Sequence, residues 1–224
     1  MFEHFNLSDF MIKAALSVVP FMFAVTIHEV MHGYAAYKLG DNTAKNAGRL
    51  TLNPIAHIDP VGLLVLLLTR IIGWAKPVPV NYYNLRHKYG VAIVSAAGPL
   101  ANLITAFLSA VVLKILDFAD VNFNIPIDIF KPLYIMTFYS VVINIALCIF
   151  NLLPIMPMDG ARIIWNFLPR DKAAKYEATE KYYFLIILVL IFTNVLQYII
   201  SPIRIFILKI FNAILNLNIT TGFM

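Results

Sequence analysis

Long uninterrupted apolar runs, such as residues 91–113, restrict what this chain can fold into. About 20 apolar residues in a helix cross the ~30 Å hydrocarbon layer of a bilayer. The chain is 61% hydrophobic and 13% charged, with a mean hydropathy of +0.80, well above the apolar share of soluble domains. These observations predict an integral multi-pass membrane protein.

The expected fold class is an all-α polytopic membrane protein with about four to six transmembrane or re-entrant helices. The first helix is expected over residues 7–39, with a kink at Pro20. Residues 61–72 are too few to cross, so they predict a re-entrant or half-buried helix. Further spans are expected over residues 90–116, 132–153 and 182–200, and the apolar stretch after Pro202 is expected to lie in the interface.

The region after the first helix has strand-like patterns. Residues 48–53 alternate in polarity and are followed by Pro54. Residues 75–81 contain two prolines, which a central strand would not accept, so they predict a loop or an edge strand. We therefore expect a short membrane-associated β-hairpin or edge-strand region here.

The charge pattern indicates topology rather than nucleic-acid binding. The net charge is +5, and the basic residues cluster in short loops beside apolar runs, so the bilayer and not a nucleic acid is the expected partner. Basic residues are enriched at 38–88 and 162–181, whereas the loop between the second and third spans carries aspartates. The positive-inside rule then places the end of the first helix in the cytoplasm. The single cysteine, Cys148, excludes a disulfide framework.

The first apolar run ends in His28-Glu29-Val30-Met31-His32. Charged groups at membrane depth are costly and usually functional. On a helix, His28 and His32 lie on one face about 6 Å apart along the axis, so they can share one Zn²⁺. Glu29 can reach a metal-bound water without being a ligand, as a zinc-peptidase general base does.

A catalytic zinc needs a third protein ligand. The best candidate is Asp159, which follows two chain-breaking prolines and lies on the predicted side of His28 and His32. It could instead cap a helix that starts near Ala161. His57 is the alternative third ligand.

At this point the sequence resembles the site-2 protease family of intramembrane metalloproteases, specifically its small members without a PDZ domain. The resemblance covers about residues 20–165 and rests on several separated motifs: His28 to Gly33, residues 48–62 with His57-Ile58-Asp59-Pro60, Ala97 to Asn102, and residues 151–160. It implies one Zn²⁺ per chain held by His28, His32 and Asp159, with Glu29 as the catalytic base. It also implies cleavage of a transmembrane protein substrate near the cytoplasmic face.

The expected organisation is one metalloprotease domain over residues 1–224, with a catalytic core at about 10–165 and C-terminal transmembrane or interfacial helices at 182–216. The expected location is the plasma membrane of a prokaryote, with the active site toward the cytoplasm and homo-oligomerisation left open. The chain lacks a PDZ or CBS segment, which leaves substrate gating undefined.

Other residues have more than one interpretation. Asn102 lies on a helical stripe of small and polar residues, which is typical of close helix packing, whereas the resemblance implies substrate binding by Asn102. His57 and Asp59 are expected either to lie near the metal and hold its ligands in place, or to be turn residues before Pro60. Arg49, Leu50, Thr51 and Val78 are expected to pair with an extended substrate.

Two other functions are alternatives to proteolysis. A membrane metal carrier would use the His and Asp ligands without needing Glu29, and a non-catalytic scaffold would need none of them. The discriminating residue is therefore Glu29.

Overall fold

The computed structural model describes residues 7–62, 64, 75–217 and 219 and is almost entirely helical in this part of the chain. Its α-helices, in chain order, are α1 (Leu7–Lys38), α2 (Thr43–Asn46), α3 (Gly90–Phe123), α4 (Ile127–Asn151), α5 (Asp159–Phe167), α6 (Arg170–Glu177), α7 (Tyr183–Phe192) and α8 (Val195–Leu215). Short 3₁₀ turns lie at Pro54–His57, Tyr82–Asn84 and Ala178–Tyr182.

Four of the described helices are long and apolar enough to cross a membrane. They are Ala15–Lys38 within α1, and the whole of α3, α4 and α8. The expectation of a mostly helical protein is confirmed, and these four candidate spans agree with the expected four to six transmembrane or re-entrant helices. The predicted re-entrant helix at residues 61–72 lies largely outside the described residues.

The fourth span was placed wrongly. Residues 182–200 are not one helix, because α7 stops at Phe192 and Asn194 adopts a left-handed conformation with φ of 57°. Asparagine enters this region more readily than most residues, so it can end a helix inside an apolar run. The spanning candidate is α8, which contains the end of the expected span together with part of the stretch after Pro202 that was expected to lie in the interface.

Helices α1, α3 and α4 pack against one another and form the centre of the molecule. The face of α3 toward its neighbours consists of small and polar residues, including Ser95, Gly98, Asn102 and Thr105, all of them buried. Small side chains allow close approach of helix backbones in a membrane. Farther along α3, residues such as Ala106 and Leu113 pack with α4 and α8 in an apolar core.

The predicted β-hairpin is not supported. In the described residues after α1, the β pairing consists of one isolated antiparallel bridge between Ile58 and Ala75. Pro77 and Pro79 have no N–H group to donate to a ladder, and the carbonyl of Lys76 accepts a hydrogen bond from Arg49 Nη2 at 2.8 Å. Residues 75–81 are therefore an extended loop, one of the two alternatives expected for them.

Candidate metal centre

The metal centre lies at the end of the bundle where α1 ends, α3 begins and α4 ends. His32 is six residues and His28 ten residues before Lys38, the last residue of α1. At 1.5 Å per residue, the imidazoles attach about 9–15 Å inside that helix end. The site is thus within the apolar part of the bundle but close to one surface.

Each histidine is oriented by a hydrogen bond to its Nδ1 atom. His28 Nδ1 lies 2.6 Å from Asn102 Oδ1, and His32 Nδ1 lies 2.7 Å from the carbonyl oxygen of Val94. Both partners are acceptors, so each Nδ1 must carry the proton and donate it. The orientation of the Asn102 amide group follows from its nitrogen, which donates to the Ala24 carbonyl and to Asn144 Oδ1. The other side-chain atom, which faces His28, is therefore the oxygen. The lone pair of each neutral imidazole is therefore on Nε2.

The two Nε2 atoms meet a carboxylate oxygen. They lie 3.0 Å from each other, and each is 3.2 Å from Asp159 Oδ2. In these tautomers three lone-pair atoms converge with no proton between them, and Asp159 Oδ2 is buried without a hydrogen-bond partner. Such an arrangement is repulsive unless a cation fills it.

The spacing fits zinc. Nitrogen and oxygen ligands about 2.1 Å from a tetrahedral Zn²⁺ lie about 3.4 Å from one another, which is within a few tenths of an ångström of the three distances here. The ligand types are also those that zinc accepts. Three protein ligands leave one tetrahedral position for water or substrate. The residues present therefore fit a catalytic zinc ion.

Asp159 is the first residue of α5, and it is not the cap of that helix. The cap position is Met158, and no side chain makes a capping hydrogen bond there. Aspartate binds zinc in its ionised form, so the Asp159 carboxylate oxygen can serve as the third ligand.

Gly98 of α3 is packed against both imidazoles. A Cβ atom added there would lie 2.4 Å from His32 Nε2 and 2.7 Å from His28 Cε1. The absence of a side chain at this position gives the two rings their space. The sequence motif contained Gly98, but its contact with the histidines depends on the pairing of α1 with α3.

Glu29 lies beside the histidines and is anchored to the extended loop. Its Oε2 accepts the backbone N–H of Val78 at 2.7 Å. Val78 is buried and Glu29 is half-buried. One carboxylate oxygen is thus held by the loop. The role of Glu29 as a base that does not ligate the metal stays a prediction.

Asn102 is fully buried, and its side chain is saturated by His28, Ala24 and Asn144. In this geometry it orients His28 and links α1, α3 and α4. Its implied contact with substrate would require these bonds to break.

The residues expected to hold substrate lie at different distances from the site. Leu50 and Val78 pack over Gly33, next to His32, since a Cβ on Gly33 would lie 2.7 Å from Leu50 Cδ2 and 2.9 Å from Val78 Cγ1. Arg49 binds the Lys76 carbonyl, and Thr51 accepts a hydrogen bond from Asn53 N–H through its hydroxyl.

His57 and Asp59 form other contacts. His57 is buried, and its Nε2 donates to the Thr51 carbonyl at 2.9 Å. Asp59 accepts the N–H groups of Val61 and Gly62 as a turn residue. Neither has a described hydrogen bond to the three ligand residues.

Two neighbours of the site were missed from the sequence. The ring of Tyr82 lies 5.3 Å from the guanidinium carbon of Arg162. Burial raises the pKa of Tyr82 and outweighs the opposing effect of Arg162, so the hydroxyl stays protonated at neutral pH. Nothing in the sequence placed Tyr82 near α5, because the contact joins distant segments.

Comparisons with known proteins identify the family. Residues 119–194, which include Asp159 but not the histidines, match the model of peptidase family M50. The chain is 40% identical over 207 residues to YwhC of Bacillus subtilis, assigned as a zinc metalloprotease, and the alignment covers 88% of this chain and 91% of YwhC. The chain belongs to peptidase family M50, the site-2 protease family. It is a metallopeptidase by this membership, so the resemblance seen in the sequence motifs is confirmed.

A second relative is more distant. Rip2 of Mycolicibacterium smegmatis, also assigned as a zinc metalloprotease, is 28% identical over 190 residues, covering 81% of this chain and 68% of Rip2. No solved structure matches the chain.

Proposed function

We propose that this protein is an intramembrane zinc endopeptidase that hydrolyses peptide bonds within or near the cytoplasmic end of the transmembrane segments of other membrane proteins. His28, His32 and Asp159 are the metal ligands and Glu29 is the general base. The convergence of two Nε2 lone pairs and one carboxylate oxygen within 3.2 Å carries this proposal.

The chemistry follows from the positions of the side chains. A zinc ion held by the three ligands would polarise the scissile carbonyl and acidify the attacking water. Glu29 takes the proton from that water and delivers it to the leaving nitrogen. Its Oε2 is held by the Val78 N–H, so the carboxylate keeps one orientation while the proton moves through the other oxygen. Asn102 and the Val94 carbonyl keep the imidazoles fixed during turnover.

The substrate must be extended before it can be cut, because the backbone groups of a helix shield its peptide bonds. The loop around Val78 supplies an extended backbone beside Glu29. We infer that a substrate strand lies along this loop, with Leu50 and Val78 under it and Arg49 and Thr51 at its edge. Each backbone group freed from a helix in lipid costs several kcal/mol unless it finds a new partner, and such a loop can provide some of those partners.

The proposed location is the plasma membrane of a prokaryote, with the metal centre toward the cytoplasm. The end of the bundle that holds the site is flanked by the basic stretches at residues 38–88 and 162–181. The turn between α3 and α4 at the opposite end lies near Asp117, Asp120 and Asp128. The positive-inside rule supports this orientation.

The test uses the purified protein and a model transmembrane substrate. Glu29→Gln should lower cleavage by at least about 100-fold, the scale of a lost general base. Its zinc content, measured by inductively coupled plasma mass spectrometry, should stay near one ion per chain as in the wild type.

The matched control is Glu3→Gln, the same chemical change far from the motif in sequence, which should leave both measurements unchanged. Loss of zinc in Glu29→Gln would make Glu29 a ligand and contradict its role as base. Full cleavage by Glu29→Gln, or no cleavage by the zinc-loaded wild type, would contradict the peptidase proposal and favour a metal carrier or a scaffold.

A further inference from the structure

A second buried carboxylate, Asp41, lies just beyond the end of α1. Its side chain is fully buried. Oδ1 accepts hydrogen bonds from Thr43 N–H, from the Thr43 hydroxyl and from Asn84 Nδ2, and Oδ2 accepts the backbone N–H of Asn81 at 2.8 Å. Burial raises the pKa of Asp41, but these hydrogen bonds outweigh burial and lower the pKa. Asp41 is thus a buried anion, fully satisfied by its neighbours.

Asp41 and Glu29 bind the same loop at two points. Val78 N–H donates to Glu29, and three residues later Asn81 N–H donates to Asp41. The two carboxylates, one from α1 and one from just beyond its end, therefore fasten the loop at both of these positions.

The prolines leave few alternatives for this loop. Pro77 and Pro79 have no N–H group, so Val78, Val80 and Asn81 carry the donors between residues 77 and 81. Two of these three donors are taken by Glu29 and Asp41. If the bond to Asp41 were removed, the described backbone N–H groups of this segment would contact α1 through one hydrogen bond, from Val78 to Glu29.

We propose that Asp41 is a positioning residue for the catalytic base. It fixes the 77–81 loop so that Val78 N–H holds the Glu29 carboxylate in the orientation needed for proton transfer. This inference rests on the proposed peptidase function. The metal ligands are oriented by Asn102 and the Val94 carbonyl, so the Asp41 effect acts on Glu29 and leaves metal binding unchanged.

The first test compares Asp41→Asn with Thr43→Val. An amide at position 41 has one acceptor oxygen, and its NH₂ group must face either Asn81 N–H or the donors on the Oδ1 side. Thr43→Val removes one donor to Oδ1 and leaves the bond to Asn81. We expect kcat of Asp41→Asn to fall by about 10- to 100-fold, the scale of a small misplacement of a catalytic group. Its KM and zinc content should stay near those of wild type, and Thr43→Val should lose far less activity.

A second pair of variants tests the same contact without touching Asp41. Asn81→Pro deletes the N–H donor, whereas Asn81→Ala removes the side chain and keeps the N–H. Only Asn81→Pro should reproduce the loss of kcat. Hydrogen exchange followed by mass spectrometry should show faster exchange at Val78 and Val80 in Asp41→Asn and in Asn81→Pro, and wild-type exchange in the two controls.

The outcomes separate this inference from the peptidase proposal. Equal kcat in Asp41→Asn and Thr43→Val would refute the positioning role while the peptidase proposal stands on wild-type cleavage. A raised KM with unchanged kcat would mean that the loop serves substrate binding and does not orient Glu29. Loss of zinc from Asp41→Asn would mean that Asp41 is needed for metal binding. Either result would refute the inference. If Asp41→Asn does not fold, the Asn81 pair decides between the same results.

Discussion

Replacement of Gly98 by alanine should weaken zinc binding by a protein that is otherwise folded. The added Cβ would lie 2.4 Å from His32 Nε2 and 2.7 Å from His28 Cε1. Real Cβ atoms essentially never approach a neighbour to within 3.0 Å, so the imidazoles must move by about 1 Å to restore an ordinary carbon–nitrogen contact. Zinc–ligand distances tolerate shifts of only about 0.2 Å. The imidazole positions that accommodate the methyl group are therefore not the positions that bind zinc.

The magnitude follows from the cost of overpacking. Inserting a methyl group into a packed site costs about 1–3 kcal/mol. If the histidines move to make room, this cost is subtracted from the free energy of zinc binding. Zinc binding is then weakened by about 5- to 150-fold. The same substitution gains roughly 1 kcal/mol of helix propensity for α3, so the apo protein should melt at the wild-type temperature or slightly above.

The assay is competition for Zn²⁺ with a chromophoric chelator, together with thermal melting of the apo protein. The matched control is Gly90→Ala, also in α3, where the three atoms nearest to an added Cβ all belong to the side chain of Leu85. This control should keep wild-type zinc affinity. Wild-type affinity and cleavage by Gly98→Ala would refute the assigned geometry of the two histidines, and an apo protein that fails to fold would show that Gly98 serves helix packing instead.

Three further predictions concern the ligands, the topology and the substrate. Asp159→Ala should lower zinc occupancy, since Asp159 supplies the third lone pair, whereas His57→Ala should largely keep it; the reverse result in metal analysis would exchange their roles. Position 120 should be labelled from outside and position 172 from the cytoplasm when Asp120 and Lys172 are each replaced by cysteine in a Cys148→Ser background. Labelling of both positions from one side would contradict the location of α5 and the end of α1 on the same side of the membrane. Replacing Gly, Asn and Pro near the cut of a model substrate with Leu should slow turnover, because unwinding becomes more costly; unchanged rates would show that unwinding is not limiting.

The sequence predicted the elements that local pattern defines. The bounds of α1 and α3 and the position of α4 follow from hydropathy and chain breakers, and the structure places them within a few residues of the expected limits, except for the longer C-terminal end of α3. The triad of metal-binding groups was also predicted, since an i, i+4 pair fixes two ligands on one helix face and Asp159 ends a broken segment on the same side. These features depend on residues close in sequence or on the topology of the spans.

The parts that were missed depend on contacts between distant segments. Asn194 looks like one polar residue in an apolar run, and only its left-handed backbone shows that it separates α7 from α8. The hydrogen bonds of Asp41 were not predicted, because its partner Asn81 lies 40 residues away in the sequence. The resemblance implied that Asn102 binds substrate, whereas its burial and its hydrogen bond to His28 depend on how the helices pack.

The division of the proposed metal ligands between α1 and the start of α5 has a consequence for biogenesis. A chain emerging into the membrane carries His28 and His32 in its first span but lacks Asp159 until α4 has been inserted. The complete ligand set therefore forms only when the bundle has assembled, and zinc favours the assembled state by mass action. An unassembled or damaged chain would hold no catalytic metal and could not cut its neighbours. Correct assembly in the bilayer would itself control when peptide hydrolysis begins.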